Sequence, residues 1–246
     1  MPSTERFLPY IQASQLDSDT KRYYDTGWRL LSATRIVDWR LDRMTTTEAE
    51  LLQFPGASST ANCALRTLRR ILSLTREWDI LPSAPRTKLR KEKERTDVFT
   101  AEREKTFQEA ASQPLKDVFL IIQGAGMRPD EVIRMRWNNV LWDKNLIFIP
   151  EGKTDKAKRH VPLSDRVRSL LRVRAQDAKS EWFFPSKRRK GHISYFPIAR
   201  DFVATRRAAG LPDDLVLYSA RHSFATDMLD RQATSFLSAG CSAIKA

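Results

Sequence analysis

The apolar residues in the first part of the chain recur at helical spacing rather than in strict alternation, which predicts helices. Asp19 and Thr20 precede one such stretch, which runs through Leu31, and they can cap its first turn. A second helix is predicted to begin near Thr47, because acidic residues follow it in the first turn. The sequence therefore predicts a helical N-terminal domain, which we place at residues 1–85.

A longer helix is predicted after a turn at Pro55-Gly56. Residues 58–60 offer N-caps, and the apolar stripe runs at helical spacing to an end near Trp78. Several basic side chains fall largely outside this stripe: Arg66, Arg69, Arg70 and Arg76. A basic face of this kind is either an ordinary solvated face or a surface that contacts phosphate groups, and the pattern leaves both interpretations open.

The second part of the chain mixes helices with short strands. Four helices are predicted from their caps and apolar spacing: one opening at Thr100, one over 115–123, one from Ser164-Asp165 through Leu171, and one over 200–209. Residues 146–150 and 160–163 read as two strands flanking a lysine-rich turn. The predicted fold class is α+β, mainly α with a small antiparallel β element.

A break in pattern separates the two parts. Residues 82–85 (PSAP) cannot continue a helix, and residues 86–97 form a dense run of charge. This segment reads as a solvated linker, although the same run could lie along a phosphate backbone. The second domain is accordingly placed at residues 98–246.

The charge balance indicates a polyanionic partner. The chain carries 43 Lys and Arg against 30 Asp and Glu, a formal net charge of +13. A field of this sign attracts nucleic acid first and an acidic membrane surface second, whereas the plain alternative is a soluble basic protein without such a partner. The charge therefore favours nucleic acid as the partner class.

Other compositional features narrow the class of protein. Cys63 and Cys241 are too few for a disulfide framework, which favours a reducing cytoplasm. No apolar run is long enough for a membrane span, and no secretion signal opens the chain. The histidines are scattered without metal-ligand spacing, and no glycine-rich phosphate loop or nucleophile elbow occurs. We therefore expect no metal and no cofactor.

Metal-free cleavage of DNA requires particular side chains. An oxygen must attack phosphorus, charge on the non-bridging oxygens must be neutralised, and the leaving 5′-oxygen must receive a proton. Arg128 could supply the charge, with Glu131 one turn later to orient it, or the two could form an ordinary surface ion pair. Lys153 lies in a lysine-rich turn, which is usually only a solvated hairpin tip, and Arg221 could simply begin a helix near Asp227.

Three stretches together carry a family resemblance: residues 126–140, residues 152–163 and residues 217–226 (LYSARHSFAT). In this order they resemble the active-site framework of the tyrosine recombinases, or phage integrase family. The resemblance implies a helical DNA-binding domain and a catalytic-type domain that together clasp duplex DNA. It implies that Arg128 and Arg221 hold the phosphate and that Lys153 protonates the leaving oxygen. It further implies phosphate contacts from Lys156, Lys158 and Arg159. In the first domain, where the resemblance is weak, the basic face of the long helix makes Arg66, Arg69 and Arg70 the expected DNA contacts.

The chain departs from the family pattern at two points. Tyr218 stands where the family usually has a histidine; its phenol can hydrogen-bond a phosphate oxygen but would not readily share a proton near neutral pH. No tyrosine follows Tyr218 in the sequence, whereas the family's nucleophile lies downstream of the second arginine.

These departures lead to two expectations. Residues 230–246 do not resemble the family's C-terminal segment, and we call them the altered tail. The first expectation is a site-specific recombinase with impaired cleavage, whose assembly as a homo-oligomer on DNA is weakened by the altered tail. The alternative is a non-catalytic DNA-binding remnant or regulator that occupies recombination sites. A frameshift or premature stop would explain the altered tail, and the neighbouring reading frames of the gene would test that hypothesis.

Overall fold

The computed structural model describes residues 4–38, 40, 44–93, 97–150, 158–188 and 190–229. The chain forms two compact units, Met1–Glu94 and Arg95–Ala246. The helices of the first unit are α1 (Thr4–Ala13), α2 (Ser18–Ser32), α3 (Thr46–Glu50) and α4 (Ser58–Glu77). The helices of the second are α5 (Ala101–Ala110), α6 (Leu115–Ala125), α7 (Pro129–Ile133), α8 (Asp165–Gln176) and α9 (Tyr195–Ala208), and α10 spans the described residues 219–229. The strands are β1 (Val140–Leu141), β2 (Leu146–Ile149) and β3 (Arg159–Pro162).

The first unit is built on the packing of α2 against α4. A side chain at Gly27 in α2 would collide with α4, because a Cβ there would lie 2.8 Å from Thr67 Cβ. The close approach lets Leu31, Leu68 and Ile71 share one buried core. Burial of such large aliphatic side chains is the main term that stabilises the unit.

The basic residues of the predicted linker lie partly against the first unit. The buried Asn62 amide donates to Arg90 O at 2.9 Å and accepts from Arg90 N at 2.8 Å. Leu89 packs against the helical core, and Thr87 is buried. Residues 86–93 therefore run along α4, and the division between the compact units falls just after them.

The core of the second unit is formed around α6, whose apolar residues surround the helix on most sides. An aromatic cluster packs beside it, with the Phe99 and Phe119 ring centroids 4.8 Å apart and the Phe107 and Phe202 centroids 5.1 Å apart. The buried Asp117 of α6 accepts from Arg174 Nε of α8 at 2.7 Å. The helices are thus held together by apolar packing and by an ion pair whose carboxylate is buried.

The sheet is antiparallel in the order β1-β2-β3. Ile147 pairs with Val161 in the buried layer, and Ile149 pairs with Arg159 at the end of the β2–β3 ladder. Residues 151–157, between these strands, lie outside the described residues. The pairing nevertheless places Arg159 at one end of the β2–β3 ladder.

The predicted α+β class, mainly helical with a small antiparallel sheet, is confirmed, while several details differ. The N-cap of α2 is Asp17 rather than Asp19 or Thr20: its carboxylate accepts from Thr20 N at 2.8 Å and from Thr20 Oγ1 at 2.7 Å. The N-cap of α4 is Ala57, so residues 58–60 already lie in its first turn. The predicted caps Thr100 and Ser164 both accept the expected backbone hydrogen bonds.

Candidate functional site

The turn from α6 to α7 sets the position of Arg128. The C-cap of α6 is Gly126, whose φ of 60° lies in the left-handed region. A Cβ at this glycine would lie 2.6 Å from Phe224 Cε1, so the backbone of the turn and α10 approach closely here. Arg128 is the N-cap of α7, and Pro129 in the first turn fixes the direction of the helix start.

Glu131 stands at the centre of the arginine cluster. Its carboxylate accepts from the backbone nitrogen of Arg128 at 2.8 Å and from Arg128 Nη1 at 2.9 Å. Arg159 of β3 binds the same carboxylate with both terminal nitrogens, Nη1 to Oε1 at 2.8 Å and Nη2 to Oε2 at 2.7 Å. Only 10% of the Glu131 side chain is exposed. The carboxylate thus joins the start of α7 to β3.

Arg221 enters the cluster from α10. Its Nη1 lies 4.0 Å from Glu131 Oε2, and its guanidinium lies 5.9 Å from the centroid of the Tyr218 ring. Nη1 is buried and has no hydrogen-bond acceptor among the residues that the structure describes. Buried charged donors are normally paired, so this atom is free to bind an acceptor from outside the described residues.

The first turns of α10 are held by a buried serine. Ser223 Oγ accepts from the backbone nitrogen of Phe99 at 2.7 Å and donates to Ser219 O at 3.0 Å. The Tyr218 ring packs edge-on against His222, with ring centroids 5.1 Å apart. These contacts fix the helix that carries Arg221.

The electrostatics of the cluster favour its ionised form. Burial acts to raise the pKa of Glu131, but hydrogen bonds from Arg159 and Arg128 outweigh it and lower the pKa below its usual 4.5. The pKa of Arg128 is raised, chiefly by its hydrogen bond to Glu131 and to a smaller extent by the nearby Tyr218 hydroxyl. Three guanidinium groups against one carboxylate leave a local excess of positive charge, which suits the oxygens of a phosphate group.

The structure brings together only some of the residues that the sequence singles out. Arg128, Tyr218 and Arg221 converge, and 38% of Tyr218 is exposed. Lys158 is exposed at the residue before β3. Lys153 and Lys156 lie outside the described residues.

The three arginines predicted to bind DNA in the first unit have partners within that unit. Arg66 pairs with Glu92 at 3.4 Å and Arg70 with Glu77 at 2.9 Å. Arg69 Nε donates to Thr87 O at 2.9 Å. Half of the Arg66 side chain remains exposed, so its pairing leaves part of the guanidinium accessible to solvent. The role of these residues in DNA binding stays a prediction.

The link between Glu131 and Arg159 is the feature that sequence reasoning missed. The sequence pattern assigned Glu131 only to Arg128 and assigned Arg159 to DNA. The two residues lie 28 positions apart on different elements, so no helical or strand spacing relates them. The register of β3, which pairs Arg159 with Ile149 at the end of the ladder, places Arg159 within reach of Glu131.

Comparison with known proteins places the chain in a family. Residues 92–236, more than half of the chain, match the phage integrase family. The tyrosine recombinase XerA of Pyrococcus furiosus is 29% identical over 119 residues, which cover 46% of this chain and 40% of that protein. The tyrosine recombinase XerD of Rhizobium meliloti is 30% identical over 115 residues, covering 44% and 36%. The match therefore spans well under half the length of these relatives.

Solved structures share the fold. The Tn1549 transposon integrase in complex with circular intermediate DNA aligns with a TM-score of 0.77 at 14% identity, over 94% of this chain and 88% of that one. A λ integrase dimer bound to a core site aligns with a TM-score of 0.74 at 19% identity, over 91% and 68%. The fold is that of tyrosine recombinases. The chain belongs to the phage integrase family.

Membrane-spanning helices and metal-binding clusters are both absent from the described residues. No helix in this part of the chain is both long and apolar enough to cross a membrane. The same residues contain no group of three or more His, Cys, Asp or Glu placed to hold a metal ion.

The lowered pKa of Glu131 predicts a specific pH dependence of stability. The unfolded chain protonates this carboxyl as the pH falls through 4.5, while the folded chain resists protonation to a lower pH. The ionised carboxylate therefore adds to the free energy of unfolding above pH 4.5, and this contribution is lost as the pH falls through the folded-state pKa. We expect Glu131→Gln to be less stable than the wild type at neutral pH, with the difference shrinking towards acid pH. Urea denaturation across the pH range measures it; a difference that stayed constant with pH would contradict the assignment.

Proposed function

We propose that the chain binds double-stranded DNA and holds one phosphodiester for the strand cleavage and rejoining of site-specific recombination and integration. The observation that carries the proposal is the buried Nη1 of Arg221, which lacks an acceptor among the described residues and lies in the cluster with Arg128. A non-bridging phosphate oxygen would complete this donor's hydrogen bonding. The net charge of +13 supports DNA as the source of that phosphate.

The roles of the individual residues follow from what each can donate. Arg128 and Arg221 would neutralise the charge that develops on the non-bridging oxygens. Tyr218 would donate a hydrogen bond to one of these oxygens, at the position where the family usually has histidine. Lys153 would protonate the leaving 5′-oxygen; this role rests on the family resemblance of its motif.

The nucleophile is the point on which two functions divide. No tyrosine follows Tyr218 in the 246 residues, so we propose that these residues bind and polarise the phosphodiester without forming a phosphotyrosyl bond of their own. The second candidate is a non-catalytic DNA binder or regulator that occupies recombination sites, and the same sequence feature favours it. Both candidates act on DNA, which agrees with the cytoplasmic location that the cysteine content predicts.

Further contacts and assembly complete the proposal. The λ integrase structures include a dimer bound to a core site and a tetramer bound to a Holliday junction. We propose that this chain also assembles with copies of itself on DNA. Additional phosphate contacts would come from these residues: Arg66, Arg69, Arg70, Lys156 and Lys158.

The test begins with duplexes that the protein selects from a random-sequence pool. A nicked form of a selected duplex, which traps a covalent intermediate because the short product diffuses away, is incubated with the protein and run on a denaturing gel. We expect salt-dependent binding without a covalent adduct. Adding hydrogen peroxide with a metal chelator supplies a small nucleophile: its oxygen bonds to phosphorus, and the 5′-oxygen leaves with a proton.

The outcomes separate the candidates. Cleavage at one fixed position that requires peroxide supports a polarising site that lacks only its nucleophile. Binding with no cleavage under either condition favours the non-catalytic binder. A covalent adduct without peroxide contradicts the proposal of impaired cleavage, and the absence of DNA binding would overturn both candidates.

A further inference from the structure

The acceptor capacity of Glu131 is filled. A carboxylate has two oxygens with about four lone-pair positions for hydrogen bonds. Four donors occupy them: the backbone nitrogen and Nη1 of Arg128, and Nη1 and Nη2 of Arg159. Each oxygen receives one bond from each arginine. A further strong donor therefore has no good position on this carboxylate.

Arg221 is the arginine of the cluster that makes no hydrogen bond to Glu131. Its Nη1 lies 4.0 Å from Glu131 Oε2, beyond hydrogen-bond distance, although the two charges attract one another. The same atom is buried without an acceptor among the described residues. A guanidinium this close to a carboxylate with vacant lone pairs would be expected to move in and pair with it. Saturation of Glu131 explains why it does not.

We propose that Arg159 is a positioning residue: by occupying two acceptor positions of Glu131, it keeps Arg221 off the carboxylate and available to the phosphate. The inference rests on the proposed function, because it assigns Arg221 to a DNA phosphate. It changes the role of Arg159, which the sequence pattern interprets as a phosphate contact. The structure turns both Nη atoms of Arg159 towards Glu131, and only 29% of its side chain is exposed.

The two roles of Arg159 predict different results in a double-mutant cycle. The logarithm of the DNA-binding constant falls linearly with the logarithm of the salt concentration. Each phosphate contact that is lost makes this slope shallower by about 0.9. If Arg159 protects Arg221, then Arg159→Ala removes one contact, because Arg221 collapses onto Glu131. The double variant Arg159→Ala with Arg221→Ala then loses no more than Arg221→Ala alone. If Arg159 binds DNA directly, the two losses add to about 1.8.

Binding is measured by fluorescence anisotropy with a duplex that the wild type selects from a random-sequence pool. We expect slope reductions of about 0.9 for Arg221→Ala, for Arg159→Ala and for the double variant. Exposed Arg172 on α8 provides the control, since Arg172→Ala removes one positive charge from the same unit without touching Glu131. Additive losses, or an unchanged slope for Arg159→Ala, would overturn the inference.

A second variant separates positioning from a general effect on folding. Adding Glu131→Gln to Arg159→Ala removes the charge that would capture Arg221, so the salt slope is expected to return towards the wild-type value. Damage to the fold would not be relieved by a second substitution in the same cluster. Arg159→Lys keeps the charge but cannot bind both carboxylate oxygens in parallel, so it is expected to restore the slope only in part.

The design distinguishes this inference from the proposed function. If the wild type binds without a salt dependence, or if Arg221→Ala leaves the slope unchanged, the proposed function fails. If the wild type and Arg221→Ala behave as expected while the cycle is additive or Glu131→Gln gives no rescue, only the positioning role of Arg159 is wrong.

Discussion

Replacing Arg221 with alanine is expected to slow peroxide-supported cleavage of a selected duplex by about 100- to 1,000-fold, the usual cost of removing one donor that stabilises developing negative charge. The reason is that Nη1 of Arg221 is already buried and oriented without an acceptor among the described residues. No reorganisation is then needed when charge develops on the phosphate oxygens. The rate is followed as the appearance of nicked strand on a denaturing gel.

Two variants make the result specific to the guanidinium. Arg221→Lys keeps the charge and loses the planar fork, so an intermediate rate is expected. Arg172→Ala, at an exposed position of α8, should cleave at the wild-type rate. A wild-type rate for Arg221→Ala would mean that the cluster is not the cleavage site, whatever its part in binding DNA.

Gly126→Ala is expected to cause the largest loss of stability among single substitutions near the site, about 2–5 kcal/mol. Two effects add. Alanine at a φ of 60° is strained, and its Cβ would overlap the Phe224 ring, with 2.6 Å to Cε1. Because Phe224 follows Arg221 on α10, the overlap pushes either the Phe224 ring or the helix that carries the arginine. We therefore expect weaker DNA binding together with the loss in the free energy of unfolding, measured by urea denaturation.

Gly210 provides a matched control within the same unit. Its φ of 64° is nearly that of Gly126, but a Cβ there would meet nothing within 4 Å. Gly210→Ala therefore reports the backbone strain alone, about 1–3 kcal/mol, with DNA binding unchanged. Adding Phe224→Leu to Gly126→Ala should recover part of the difference. Equal losses for the two glycines would show that the contact with Phe224 is unimportant.

The sequence predicts those elements of the fold that local rules specify. The buried helix α6, the helices capped by Thr100 and Ser164, and the antiparallel strand pair all follow from periodicity and capping. The short helix α7 has only five residues, too few for a periodic signal. The helix α9 begins at Tyr195 rather than near Arg200, because Pro197 falls in its first turn, where proline needs no hydrogen-bond donor.

Local sequence rules predict the arrangement of the site no better. The convergence of Arg128, Tyr218 and Arg221 was predictable only because their motifs resemble a known family. The bond between Arg159 and Glu131 depends on how β3 sits beside α7, which no local spacing encodes. Likewise, the segment 86–93 has the charge of a solvated linker, yet the buried amide of Asn62 binds its backbone. Long-range pairing of this kind has to be seen in three dimensions.

The hydrogen bond from Phe99 to Ser223 joins positions 124 residues apart in sequence, near opposite ends of the second unit's described chain. The segment between these two residues contains α5 to α9 and the sheet, so the hydrogen bond connects the two ends of that segment. Because this contact is non-local, the helix that bears Arg221 is held in place only when the two ends of this segment are together. Phosphate-binding capability in this domain should consequently appear in one cooperative step with tertiary structure rather than build up gradually.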